Sequence, residues 1–154
     1  GMLVLLWGCP YKSNVALGKA EELVQKRMMG SWVPEIQAKK ENPDYYVIEE
    51  YDSVRYAIEH VQYNSEESEY TSKNYIGHTT SINGFMFMNM VESGTNEYLL
   101  HRIDYVPVGL VLYEVTDNID EQFDSPEKMQ EFFKKNMRLS FFYNKDEVTL
   151  VKKP

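Results

Sequence analysis

Gly77-His78-Thr79-Thr80-Ser81-Ile82-Asn83-Gly84-Phe85-Met86-Phe87-Met88-Asn89-Met90-Val91 is the stretch whose reading decides the fold. Asn83-Gly84 lies between two apolar-rich runs. Asn-Gly is the pair that a two-residue type I′ hairpin favours, because both central residues need positive φ. Upstream, Tyr70 to Ile82 reads as one long strand, bent or bulged near Gly77. Downstream, Phe85 to Val91 reads as its partner. Side chains alternate along a strand, so Phe85, Phe87 and Asn89 share one face and Met86, Met88 and Met90 the other.

The same pattern extends both ways. Before the hairpin, strands are expected at Ser31 to Glu35, at Tyr45 to Tyr51 after the Asn42-Pro43-Asp44 turn, and at Val54 to Tyr63. The acidic stretch Asn64 to Glu69 reads as a solvated loop. After the hairpin, Glu92 to Asn96 forms a second loop, and Tyr98 to Val106 pairs with Val108 to Val115. One helix interrupts the strands. Asp124-Ser125-Pro126-Glu127 supplies a cap, a first-turn proline and an acidic residue. Met129, Phe132, Phe133 and Asn136 follow at helical spacing. Two short strands, Leu139 to Tyr143 and Val148 to Lys152, end the chain. The expected fold is mainly β: an antiparallel meander of about eight to nine strands. Closing it into a barrel removes exposed edges.

At 154 residues the chain fits one domain with a sizeable core. Twelve Tyr and seven Phe favour strands. A formal net charge of −8 argues against a nucleic-acid partner, which needs a basic surface. No stretch reaches the ~20 apolar residues of a membrane-spanning helix.

The single cysteine carries the second reading. Cys9 ends the apolar run Met2 to Gly8, and turn-forming residues follow it. A small residue plus cysteine after such a run looks like a lipobox, with Leu6 and Gly8 at the specificity positions and Cys9 as the lipidated residue. Residues 1–8 are then a residual signal peptide, with Gly1 a tag remnant. Residues 9–29 are the lipidated cysteine and a tether. In that leader Lys19 to Met29 is expected as a short helix, with Leu23, Met28 and Met29 on its inner face. Residues 30–154 are the barrel domain. The competing reading of the first residues is a short N-terminal strand with a buried cysteine.

Gly30-Ser31-Trp32 after a helical leader resembles the Gly-x-Trp signature of lipocalins and related calycin barrels, in which the tryptophan plugs one end. A late helix followed by a strand is also lipocalin-like. Ile103-Asp104-Tyr105 matches the second signature only loosely, and the arginine of the last has no counterpart. The chain also resembles small uncharacterised lipoproteins of Bacteroidetes and other Gram-negative bacteria. The shared features are Gly8-Cys9-Pro10-Tyr11 with Ser13 and Leu17, the approach Met28 to Trp32, the strand Gly77 to Ser81, Tyr98 to Leu100 and the late helix. That resemblance implies a lipid-anchored protein of the cell envelope. No acidic run follows Cys9, which points to a periplasm-facing anchor, at the outer membrane in preference to the inner.

Three sets of side chains are candidates for a site. His60, His78 and His101 each share a strand face with apolar residues. If their strands approach, three imidazoles could bind zinc, as in some calycin-like periplasmic proteins. The bland alternative is three separate core histidines. Met86, Met88, Met90, Ile76, His78 and Leu99 would form an adaptable apolar lining, with Trp32, Tyr56 and Tyr113 as polar handles. An eight-stranded barrel either holds one small ligand there or is filled by side chains. Alternation puts Glu59 and Glu114 outside. No hydrolase, metalloprotease or P-loop motif is present, so no enzyme is expected. The expected function is a lipid-anchored binding protein for a small apolar or amphipathic ligand. An envelope interaction module with a filled barrel and a zinc-binding protein are the alternatives. Beyond zinc no cofactor is expected.

Overall fold

The computed structural model describes residues 9–154; the expected signal remnant Met2 to Gly8 lies outside them. The described chain forms β1 (Lys12–Ser13), β2 (Gly30–Pro34), β3 (Tyr45–Asp52), β4 (Arg55–Asn64), β5 (Glu69–Ile82), β6 (Phe85–Glu92), β7 (Tyr98–Val106), β8 (Gly109–Glu114), α1 (Pro126–Asn136) and β9 (Val148–Lys152). Strands β2 to β8 pair antiparallel in chain order, and β9 then pairs with both β8 and β2. The result is a closed eight-stranded antiparallel barrel. The short β1 adds a ninth strand against β7, with Lys12 opposite Leu99.

Turn chemistry sets the register. Asn83 and Gly84 take φ of 49° and 86°, and Ile82 faces Phe85 across them. At the closing seam, a Cβ on Gly109 would lie 2.0 Å from the Leu150 carbonyl oxygen. Only glycine permits that approach of β8 to β9.

The sheet is apolar on both faces, and each face has its own core. Inside lie Met28, Trp32, Tyr56, Ile58, Met88, Leu110 and Leu150. Outside, Tyr11, Leu17, Phe87, Leu100, Met129, Phe133 and Phe142 pack together beneath α1 and the N-terminal segment. The alternation along β6 therefore serves two cores, methionines inward and phenylalanines outward. Ser125 caps α1 by accepting from the Lys128 amide (3.3 Å), with Pro126 at the first position.

Three expectations about elements are corrected. Lys19 to Met29 is not a helix; only Lys26–Met28 makes a 3-10 turn, and Leu23 is exposed. The backbone bonds of this stretch go to the barrel instead: Val24 N donates to the Ser53 carbonyl (2.9 Å) and Gln25 N to the Tyr56 hydroxyl (2.6 Å). The leader is likewise no free tether, since Tyr11, Leu17 and Met28 are fully buried. Leu139 to Tyr143 contains a 3-10 turn, Ser140–Phe142, and only an isolated bridge from Tyr143 to Val115. Because β9 already fills the place between β8 and β2, the barrel leaves no edge for it.

Candidate functional site

The two barrel ends differ. One is closed by the strap 18–29. Glu22 accepts from the Ser81 amide (2.6 Å), the Ser81 hydroxyl (3.0 Å) and the Thr79 hydroxyl (3.1 Å). Behind it, Trp32 is buried, donates Nε1 to the Met28 carbonyl (2.9 Å) and lies under the Lys152 ammonium (4.3 Å).

Towards the other end the interior holds a cavity of about 140 Å³. Ile48, Ile58, Met88, Met90 and Leu99 line its apolar part. Its polar part is built by cross-strand pairing: Tyr46 lies opposite His60, and His101 opposite Glu114. The Tyr46 and His60 rings stack at 4.1 Å and 4°. His101 Nε2 is 3.7 Å from Glu114 Oε1, and its covered Nδ1 has no hydrogen-bond partner among the described residues. Asn144 Nδ2 donates to Glu114 Oε2 (2.7 Å). Among the described residues no lysine or arginine lines the cavity.

Burial dominates the electrostatics. It pushes the His101 imidazole down to about 4, and neighbouring His60 adds to the effect, so the ring is neutral at pH 7. His60 is lowered by burial, with Lys73 acting the same way and Asp44 opposing. The Glu114 carboxyl is raised by burial against the Asn144 hydrogen bond, and Asp117 raises it further. The Tyr46 and Tyr75 hydroxyls are raised by burial, with Glu114 contributing at both.

Of the expected site residues, His60, His101, Met88, Met90 and Leu99 line this cavity. Met86 packs against the same interior core, outside the cavity lining. Tyr56 is buried inside, its hydroxyl held by Gln25. His78 is not with the other histidines. Lys73 pairs with His60, and His78 is an odd number of residues further along β5, so it points outward. There its Nε2 donates to the Gly18 carbonyl (2.7 Å). The same parity turns Ile76 outward. The three-histidine cluster therefore reduces to two. Among the described residues no group of three or more His, Cys, Asp or Glu side chains is arranged to hold a metal ion.

The parity of β8 also differs from the expected one. Glu114 points in, opposite His101, so Tyr113 points out against the Arg102 guanidinium (4.9 Å). Sequence reasoning missed Tyr46, Tyr75, Glu114 and Asn144. Pairing the Tyr45 and Val54 runs as a hairpin would have set Tyr46 opposite His60; nothing local flags Asn144. Cys9 is exposed with a free thiol, and its carbonyl accepts from the Asp117 amide (3.0 Å) and from Asn144 (3.2 Å).

A larger concavity of about 530 Å³ lies outside the barrel beside Arg102, Arg138, Phe141 and Lys145. It is more open to solvent than the interior cavity, and Asp104 already pairs with one edge of the Arg102 guanidinium, at Nε (3.0 Å) and Nη2 (2.8 Å). The interior cavity, with its convergent and incompletely paired polar groups, is the better candidate. No protein-family model, no curated protein and no solved structure matches the chain.

Proposed function

We propose that this protein binds a small molecule inside its barrel, with the ligand's apolar part among Ile58, Met88 and Met90 and its polar part towards His60, His101 and Glu114. The observation that carries this reading is the cavity of about 140 Å³, mainly apolar with a smaller polar part. Size narrows the ligand. An apolar cavity of about 150 Å³ accepts a benzene ring, whereas drug-sized ligands need roughly 300–1,000 Å³. The ligand is therefore a single-ring-sized amphipathic molecule and not a long acyl chain. We read the chain as a binding protein and not as an enzyme, in keeping with its lipocalin-like resemblance. The test is a titration with cyclopentanol followed through backbone amide shifts. Shifts are expected at Ile58, Met88 and His101. Shifts confined to the outer groove, or none with this or any other ring-sized probe, would sink the proposal.

The lipobox reading of Cys9 makes the protein an envelope lipoprotein facing the periplasm. Asn144 bridges the Cys9 carbonyl to Glu114, so an anchor there would hold the cavity mouth near the membrane. Expression of the full precursor in a Gram-negative host with a palmitate analogue tests it. Label is expected on the wild type and absent from Cys9→Ser; equal labelling refutes the anchor. A second reading, an envelope interaction module, draws on the exposed Phe141 and Leu139 beside Arg138. Phe141→Ser would then abolish capture of an envelope partner.

A further inference from the structure

We propose that the ligand is a small organic amine, bound as a cation whose ammonium pairs with Glu114 while its apolar ring fills the cavity. This rests on the cavity being the binding site and adds the ligand's charge. Glu114 is a half-buried carboxylate with an incomplete set of partners. One oxygen accepts from Asn144 at 2.7 Å. The other has only His101 Nε2 at 3.7 Å, too long for a hydrogen bond. Among the described residues no other ion pair involves Glu114, and no lysine or arginine lines the cavity.

The Glu114 side chain is 33% exposed, so its carboxylate keeps part of its hydration at the cavity edge, and a ligand cation would replace the part that the apolar walls remove. His101 cannot supply the charge, because burial and His60 keep it neutral at pH 7. A ligand ammonium would supply it and would hydrogen-bond to the free Oε1. The walls suit a cation too. Tyr46 and Tyr75 offer aromatic rings, and Met88 and Met90 offer polarizable sulfur. An anionic ligand finds no basic side chain in the cavity and meets a negative field. That field comes from Glu114, from neighbouring Asp117, and from a chain of net charge −8. A neutral ligand can donate a hydrogen bond to the carboxylate but leaves its charge uncompensated.

The experiment is calorimetry on the folded chain at pH 7 with three probes of one ring size: cyclopentylamine, cyclopentanol and cyclopentanecarboxylate. The amine is expected to bind about tenfold to a hundredfold tighter than the alcohol, the range of one charge-assisted hydrogen bond. The carboxylate is expected not to bind. In Glu114→Gln the amine should fall to the level of the alcohol. A thermal melt of the variant reports whether its fold is intact. An alcohol or carboxylate that matches the amine in the wild type overturns the inference and leaves the cavity reading standing. So does amine binding unchanged in Glu114→Gln. Failure of all three probes to bind overturns the cavity reading itself. The wild-type ranking decides even if the variant does not fold.

Discussion

Gly84 and Gly109 both take positive φ, 86° and 157°, but their replacement by alanine has different consequences. A Cβ on Gly84 meets nothing within 4 Å, so Gly84→Ala carries only the strain of the left-handed region, about 1–2 kcal/mol. A Cβ on Gly109 meets the Leu150 backbone, which cannot move without parting β8 from β9. Overpacking adds roughly 1–3 kcal/mol or more. Thermal melts should therefore rank Gly109→Ala below Gly84→Ala, and equal melting temperatures would contradict the close seam. His101 makes the second prediction at this scale. Its folded pKa is about 4 against 6.5 unfolded, so acid protonates the unfolded chain first. Stability is present above pH 6.5 and lost as pH falls towards 4, by about 3 kcal/mol at 1.36 kcal/mol per unit. Glu114, with its pKa raised, has the opposite sign and offsets part of that loss. Urea midpoints at pH 7 and pH 4.5 should show a smaller acid loss in His101→Gln than in wild type, and a larger one in Glu114→Gln. Parallel pH profiles would mean that His101 is not buried neutral.

Elements were legible where their signals were local. The Asn83-Gly84 turn and the capped start at Ser125-Pro126 are written in adjacent residues, so the β5–β6 hairpin and α1 were readable. The segment Lys19 to Met29 was not. Its residues have adequate helix propensity, but propensity is a weak prior against tertiary bonds, and Glu22, Val24 and Gln25 spend theirs on β4, β5 and the β3–β4 turn. Glu22→Ala removes three hydrogen bonds and should cost roughly 1–3 kcal/mol. Hydrogen exchange should speed up at the Ser81 amide and stay unchanged at Leu110; uniform protection would show that the strap closes nothing. The helix is attached by Met129 and Phe133, and the Phe133 ring packs edge-on against Phe87 (5.2 Å) and Phe142 (4.9 Å). Phe133→Ala should destabilise by about 3–5 kcal/mol in chemical denaturation. A cost under 1 kcal/mol would mean that the outer core adds little.

At the scale of the molecule, one short strand closes the barrel. β9 pairs through Val33–Val151 to β2 and through Leu110–Leu150 to β8. Removing residues 148–154 should leave β2 and β8 as unpaired edges, and such edges recruit other chains. Size-exclusion chromatography of the truncated chain should show oligomers or aggregate. A monomer with unchanged melting temperature would contradict closure through β9. The sequence by itself determined the eight barrel strands, their antiparallel order, the central hairpin and the late helix, because alternation, turn dipeptides and capping are properties of neighbouring residues. Tertiary structure alone decided which face of each strand looks inward. Both faces of β5 to β8 carry apolar side chains, since α1 and the N-terminal segment cover the outside, so hydrophobicity could not tell lumen from outer core. That ambiguity put His78 and Tyr113 in the wrong place and hid Glu114. Only the register of the closed barrel brings Tyr46, His60, His101 and Glu114 to one cavity, from strands far apart in the chain.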